Sequence, residues 1–188
     1  MYVPFNEDEQ QHLKRTLDFI TREPNCFNRA TASGHVTGSA WIISNDYYFV
    51  LLTHHTKLNK WFQLGGHSDG CSNTHEVALR EATEESGIKG LALVTEDIFG
   101  IDVHSIPKRG AELMHNHYDI VYLIKSDMSM LTKKSSESKE LKWVKIDDVY
   151  SYTNDPFIAR LVEKTKNLHI ENNTSVQKNK DRYQTISI

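Results

Sequence analysis

The sequence predicts an α/β fold, an α/β/α sandwich built on a central mixed β-sheet. Two observations carry this. Runs rich in β-branched and aromatic residues recur through the middle of the chain, and segments with apolar residues at 3–4 spacing stand before, between and after them. A third is the punctuation: Gly, Pro and short polar connectors fall between the periodic segments.

Taken in order, residues 6 to 22 form a helix, with Leu13, Leu17, Phe19 and Ile20 near helical spacing among charges. It stops before Pro24, because the residue preceding a proline disfavours helical angles. Runs at 36–43 and 47–52 flank Ser44-Asn45-Asp46 and read as a hairpin. The unbroken apolar stretches Trp41-Ile42-Ile43 and Phe49-Val50-Leu51-Leu52 suit strands covered on both faces. A short strand at 61–64 leads into Gly65-Gly66, and a polar loop feeds a helix over 74–86. Asn73 with Glu76 resembles a capping box, and Gly87 is placed to stop the helix. Further strands are expected at 91–95, 97–106, 117–125 and 141–146, with loops at Lys108-Arg109-Gly110 and over 133–139. Asp155-Pro156 opens a last helix reaching about 168. Residues 1–170 are thus expected to form a single domain, and the polar stretch 171–188 a flexible tail.

With 188 residues and a formal charge of −3, the chain has no basic footprint for nucleic acid and no polybasic membrane patch. Its two cysteines, Cys26 and Cys71, cannot supply a disulfide framework. No apolar run approaches about 18 residues, and the N-terminus lacks the pattern of a signal peptide. A cytoplasmic protein with no membrane or nucleic-acid partner is expected.

On the 74–86 helix, Glu81, Glu84 and Glu85 sit at i, i+3 and i+4 and share one face. Such charges repel unless a cation sits among them, and Arg80, which can reach Glu84, does not neutralise three. Oxygen ligands on a rigid element suit a hard ion, Mg²⁺ or Mn²⁺, which bridges to phosphates and activates water. The plainer reading is a solvated acidic face.

The wider spacing separates the two readings. Gly66, five residues, Ser72, seven residues, then Arg80-Glu81-Ala82-Thr83-Glu84-Glu85-Ser86-Gly87-Ile88 resembles the signature of the Nudix hydrolase family. Ser72 stands where the family has Glu, and Leu64 where many members have Pro. The likeness runs in outline from about residue 35 to 168 and includes Glu140-Leu141-Lys142-Trp143-Val144, similar to a late Glu-containing strand of many members. It implies a Nudix-like sandwich and cleavage of a diphosphate linkage in a nucleoside diphosphate joined to another group. It also implies metal ligation by Glu81 and Glu85, with Glu84 shared or bridging, and the Gly65 carbonyl as a further ligand. Arg80 would orient the glutamates. Glu81 and Glu140 are the candidates for general base. The missing glutamate at Ser72 leaves Asp69 or Glu76 to compensate, and a homodimer is common in the family.

Two other readings stay open. Type I isopentenyl-diphosphate isomerases resemble Nudix proteins in fold, and Gly66-His67 echoes their Gly-His pair, although Gly65 stands at the approximate place of their cysteine. A catalytically weak module that senses a nucleotide would also tolerate the Ser72 departure.

The chain carries ten histidines, and several cluster. His115, His117 and Asp119 alternate along a predicted strand and so face one side, as do Asp102 and His104 on the strand before. If those strands pair, one face presents His104, His115, His117 and two acids, with His67 close by after the double glycine. Imidazole and carboxylate together suit a transition metal or a pocket for substrate phosphates. The plainer reading is partly exposed polar residues on an open sheet face. Lys60, beside Trp61, is a further candidate for a phosphate or ring contact, and Cys71 a weaker candidate for a reactive thiol.

Overall fold

Strand β1 (Gly34–Ser44) is buried at every position, and the sheet is built outward from it. Its buried backbone N–H and C=O groups need partners along their whole length, so it takes strands on both edges. On one side it pairs in parallel with β6 (His115–Ser126), from Gly34 opposite Asn116 to Ser44 opposite Ser126. On the other it pairs with two antiparallel strands in succession. Its end meets β2 (Phe49–His55) at Ile42–Leu51 and Ile43–Val50, as the hairpin signal predicts. Its first half meets β4 (Leu64–His67), with Ser39 opposite Gly65. Beyond β2 lie β3 (Trp61–Phe62) and β7 (Ser138–Lys145), and beyond β6 lies the edge strand β5 (Ala92–Ile106). One parallel and several antiparallel pairings make the sheet mixed, as expected.

The computed structural model describes residues 2–184 except 109, 111, 112, 131, 134 and 137, with side chains described as far as 170. Helix α1 (Glu7–Arg22) starts at Asn6, whose side chain accepts the Glu9 N–H. Helix α2 (Thr74–Ser86) ends at Gly87, which adopts the left-handed φ of 70° that glycine takes most readily. A 3-10 helix (Ile146–Ser151) and helix α3 (Pro156–Gln184) close the chain. Strand parity sorts the core into layers. Val36, Ile101, Tyr118 and Ile120 pack against Phe19 of α1 and Ala78 of α2. Trp41, Ile43, Val121 and Leu123 face the other way, onto Phe157, Ile158, Leu161 and Val162 of α3.

Several local expectations differ from the structure. The strand expected at 61–64 is two, because Phe62 pairs with β2 while Leu64 pairs with β1. The strands expected at 91–95 and 97–106 are one, with register shifts between Leu93 and Gly100 absorbing the irregularity. Asn73 makes no side-chain cap hydrogen bond, so the capping box is not formed; its φ and ψ of −86° and 84° are not those of an extended cap. The final helix passes the expected end near 168, its helical backbone running as far as Gln184. Arg109 in one expected loop, and 134 and 137 in another, lie outside the described residues.

An edge strand with exposed N–H groups invites mispairing. Helix α1 occupies that edge with side chains: the Ile101 N–H donates to Glu9 Oε1 (3.3 Å) and the Val103 N–H to His12 Nδ1 (2.6 Å). Glu9 is 0% exposed and faces Arg160 Nε at 3.5 Å and Lys164 Nζ at 2.9 Å, both on α3. Removing one partner of a buried ion pair strands the other charge, at a cost of about 3–5 kcal/mol. Glu9→Ala should therefore lower the urea midpoint sharply with the m-value unchanged. A midpoint like that of the wild type would show the network to be ornamental to stability.

Candidate active site

The carboxylate site depends on a close approach between β4 and α2. Gly65 and Gly66 leave no room for a side chain: a Cβ on Gly66 would collide with the Glu81 carboxylate, and one on Gly65 with the Ser39 side chain. With that space clear, Glu85 reaches the strand and its Oε2 accepts the Gly65 N–H at 2.9 Å. Glu85 is only 8% exposed, Glu81 is partly buried and Glu84 is exposed, so the three carboxylates grade from the sheet outward to solvent. Arg80 does not pair with Glu84 as its spacing suggested. Its Nη2 donates to the His67 carbonyl (2.8 Å) and lies 3.0 Å from Glu81 Oε1, tying α2 to the end of β4. Two carboxylates held against a strand, with a third beside them, form an all-oxygen donor set that fits a hard divalent cation.

A second group of polar side chains lies on the sheet face that α3 covers only in part. By strand parity His35, Thr37 and Ser39 of β1 share the face of Trp41 and Ile43, and His117 and Asp119 of β6 share that of Val121 and Leu123. Asp102 and His104 of β5 stand opposite Asp119 and His117, as the predicted pairing requires. Asp119 is 2% exposed and accepts from Thr37 Oγ1 (2.8 Å), Ser39 Oγ (2.8 Å) and Gln63 Nε2 (3.0 Å), so it ties β1, β6 and the β3–β4 junction together. Burial pushes its carboxyl above the usual carboxylate range.

His104 Nδ1 lies 3.0 Å from Asp102 Oδ2. Burial works against the charged ring, but the Asp102 hydrogen bond together with the charges of Asp119, Asp102 and Asp155 outweighs it and holds His104 above its ordinary value. The opposite holds deeper in. Ring centroids of His35 lie 4.9, 5.0 and 4.7 Å from those of His67, His115 and His117. Burial and the neighbouring imidazoles lower His35 to about 4 and His117 to about 2, so both rings are neutral at pH 7.

The structure thus brings Arg80, Glu81, Glu85 and Gly65 together, and gathers His67, His104, His115, His117 and Asp119 nearby through the β4 strand. It leaves two candidates apart. Lys60 is exposed in the β2–β3 turn, and Glu140 is exposed on β7 opposite His54. Among the described residues, neither makes a hydrogen bond to the glutamates of α2. Asp69 lies beside Arg29 (3.7 Å), and Glu76 is exposed on α2. Sequence reasoning missed His35, Thr37, Ser39, Gln63 and Arg29. Alternation of His35, Thr37 and Ser39 was the available signal, but the predicted strand began one residue after His35.

The family model described as NUDIX domain matches residues 35–165. This chain belongs to the Nudix domain family. Among solved structures, an Ap4A hydrolase from C. elegans, in a binary complex, is 18% identical, with 71% of this chain and 96% of that one covered and a TM-score of 0.57. A MutT protein from Methanosarcina mazei Go1 is 20% identical over 73% and 96% of the two chains, with a TM-score of 0.57. A NUDIX-family hydrolase from Clostridium perfringens is 27% identical over 71% and 97%, with a TM-score of 0.53. Comparison with curated proteins returns no match. Among the described residues no helix is long and apolar enough to cross a membrane.

The lowered His35 value has a consequence for stability. Below its ordinary value of 6.5 the unfolded chain takes up a proton that the native ring refuses until about pH 4. Native stability therefore falls as pH drops through that window, by about 1.4 kcal/mol per unit for such a group. Urea midpoints measured at pH 7 and pH 4.5 should fall less steeply for His35→Gln than for the wild type; equal slopes would refute the assignment.

Proposed function

We propose that this protein hydrolyses a diphosphate linkage in a nucleoside diphosphate joined to another group, using Mg²⁺ or Mn²⁺. The observation that supports this best is the placement of Glu85, buried on α2 and hydrogen-bonded to the Gly65 N–H at 2.9 Å. In this reading Glu81, Glu84, Glu85 and the Gly65 carbonyl hold the cation. When bound, the ion would offset phosphate charge and would make water a better nucleophile toward phosphorus.

The protein's own groups prepare that chemistry. Arg80 fixes Glu81 by an ion pair and anchors itself on the His67 carbonyl, so the carboxylate pays little rotamer entropy when it ligates. Glu84, exposed at the rim, faces the incoming diphosphate and shares the cation. Glu81 is the nearer candidate for general base, because Glu140 stands out on β7. The groove lined by His67, His104, His115 and His117 takes the group beyond the diphosphate. Asp119 supports that groove from beneath through Thr37, Ser39 and Gln63. Lys60 has no part in this reading.

A panel of nucleoside triphosphates, ADP-ribose, dinucleotides, CoA and diphosphate sugars with Mg²⁺ or Mn²⁺, read by phosphate or nucleotide release, identifies the substrate. On it, Glu85→Gln should lose on the order of a hundredfold or more in kcat/KM, about 2.7 kcal/mol, while its circular dichroism is unchanged. Full activity in that variant would sink the site assignment. Arg80→Ala should lose about 10–100-fold, as a residue acting through a ligand does. Chelation by EDTA should stop turnover and added Mg²⁺ or Mn²⁺ should restore it; activity that survives chelation would remove the cation from the reading.

A further inference from the structure

We propose that His35, His67 and His117 form a second metal site, separate from the carboxylates of α2, for Zn²⁺ or a similar borderline transition ion. One nitrogen from each ring lies within 4.8 Å of the other two. Tetrahedral zinc with Zn–N bonds of about 2.0–2.1 Å places such nitrogens about 3.4 Å apart, a closure that small rotations about the side-chain bonds supply.

Two further features point to an ion rather than to packing alone. His35 is 1% exposed, and neither of its ring nitrogens has a hydrogen-bond partner. An imidazole with both nitrogens buried and unsatisfied is costly, and a bound ion removes that cost at one of them. The second feature is a hydrogen-bond relay that sets the tautomer of His117. His115 Nδ1 lies 2.9 Å from the Leu113 carbonyl and therefore donates to it. With that proton on Nδ1, His115 Nε2 is open to accept across its 3.3 Å contact with His117 Nε2, so His117 donates. A His117 ring that donates from Nε2 keeps its lone pair on Nδ1, where it can be offered to an ion. Metal-bound histidines characteristically donate their second nitrogen in this way.

His67 joins this site to the catalytic one, since its carbonyl anchors Arg80 while its ring faces His35 and His117. Arg29 Nη2 donates to His67 Nδ1 at 3.1 Å, and Arg29 Nε lies 3.7 Å from Asp69 Oδ1. Arrival of a cation turns Arg29 away from the ring toward Asp69, exchanging one positive charge for another. Three imidazoles and no carboxylate discriminate against Mg²⁺, which prefers oxygen, and favour zinc. Three protein ligands leave one tetrahedral position open to water or to a donor atom of the substrate.

The test uses tag-free protein stripped of metal by a chelator and titrated with Co²⁺ and then Zn²⁺. The expected result is one tetrahedral Co²⁺ per chain by its visible absorption, whatever Co²⁺ the carboxylates of α2 also take, with paramagnetically shifted signals from three imidazoles and displacement of that Co²⁺ by Zn²⁺. His117→Asn and His35→Asn should each weaken Zn²⁺ binding at least tenfold, whereas Glu85→Gln should leave it unchanged. Because His35 is buried, a His35→Asn chain that fails to fold by circular dichroism leaves the decision to His117→Asn and the wild-type spectra. The proposal is overturned by octahedral Co²⁺ without imidazole signals, by unchanged Zn²⁺ affinity in folded His117→Asn, or by loss of binding in Glu85→Gln.

Discussion

The parallel ladder between β1 and β6 is the constraint on which both sites depend. Parallel strands cannot be joined by a tight turn, and the long connection between these two carries β2, β3, β4, α2 and β5. The ladder places His35 opposite His117 and Thr37 opposite Asp119, and buries His35, Thr37 and Asp119. It also leaves the far edge of β1 to β4, so Gly65 and Gly66 lie one strand away from the histidines. A slip of one residue in this ladder would turn every side chain to the other face and dissolve the groove.

The face of the sheet beneath α3 changes character partway along. Trp41, Ile43, Val121 and Leu123 bury apolar area against the helix. Past Ser39 and Asp119 the same face is polar and takes imidazoles, hydroxyls and carboxylates. Hydrophobic burial therefore anchors one end while hydrogen bonding organises the other, and Asp119 is where the two meet. On the outer edge, Glu9, His12 and Arg160 hold β5 by its backbone, so Asp102 and His104 are presented from a strand that cannot fray.

The two donor sets differ in kind. Oxygen ligands from α2 meet a strand that has given up its side chains to let them approach. Nitrogen ligands from three strands meet where a buried ring lacks partners. Hard and borderline ions are sorted by such differences in donor chemistry more than by the size of the space. His67 belongs to both, through its carbonyl on one side and its ring on the other.

The layered fold, the helix limits near Arg22 and Gly87, and the glutamate face were legible in the sequence because they follow from local rules: periodicity of 3.6 or 2, a proline stop, a left-handed glycine. The pairing of the Asp102 and His104 strand with the His117 and Asp119 strand was legible too, since neighbouring strands in sequence tend to pair. The capping box at Asn73 and the Arg80–Glu84 pair were misread, because spacing shows which groups are within reach and tertiary packing decides which partner wins. By itself the sequence determined the carboxylate helix, its resemblance to a family and the alternation of the histidines. Only the tertiary structure decided that His35 completes their cluster and that Glu85 is clamped to Gly65. Both contacts join residues distant along the chain, and no local periodicity encodes the register of a parallel pair.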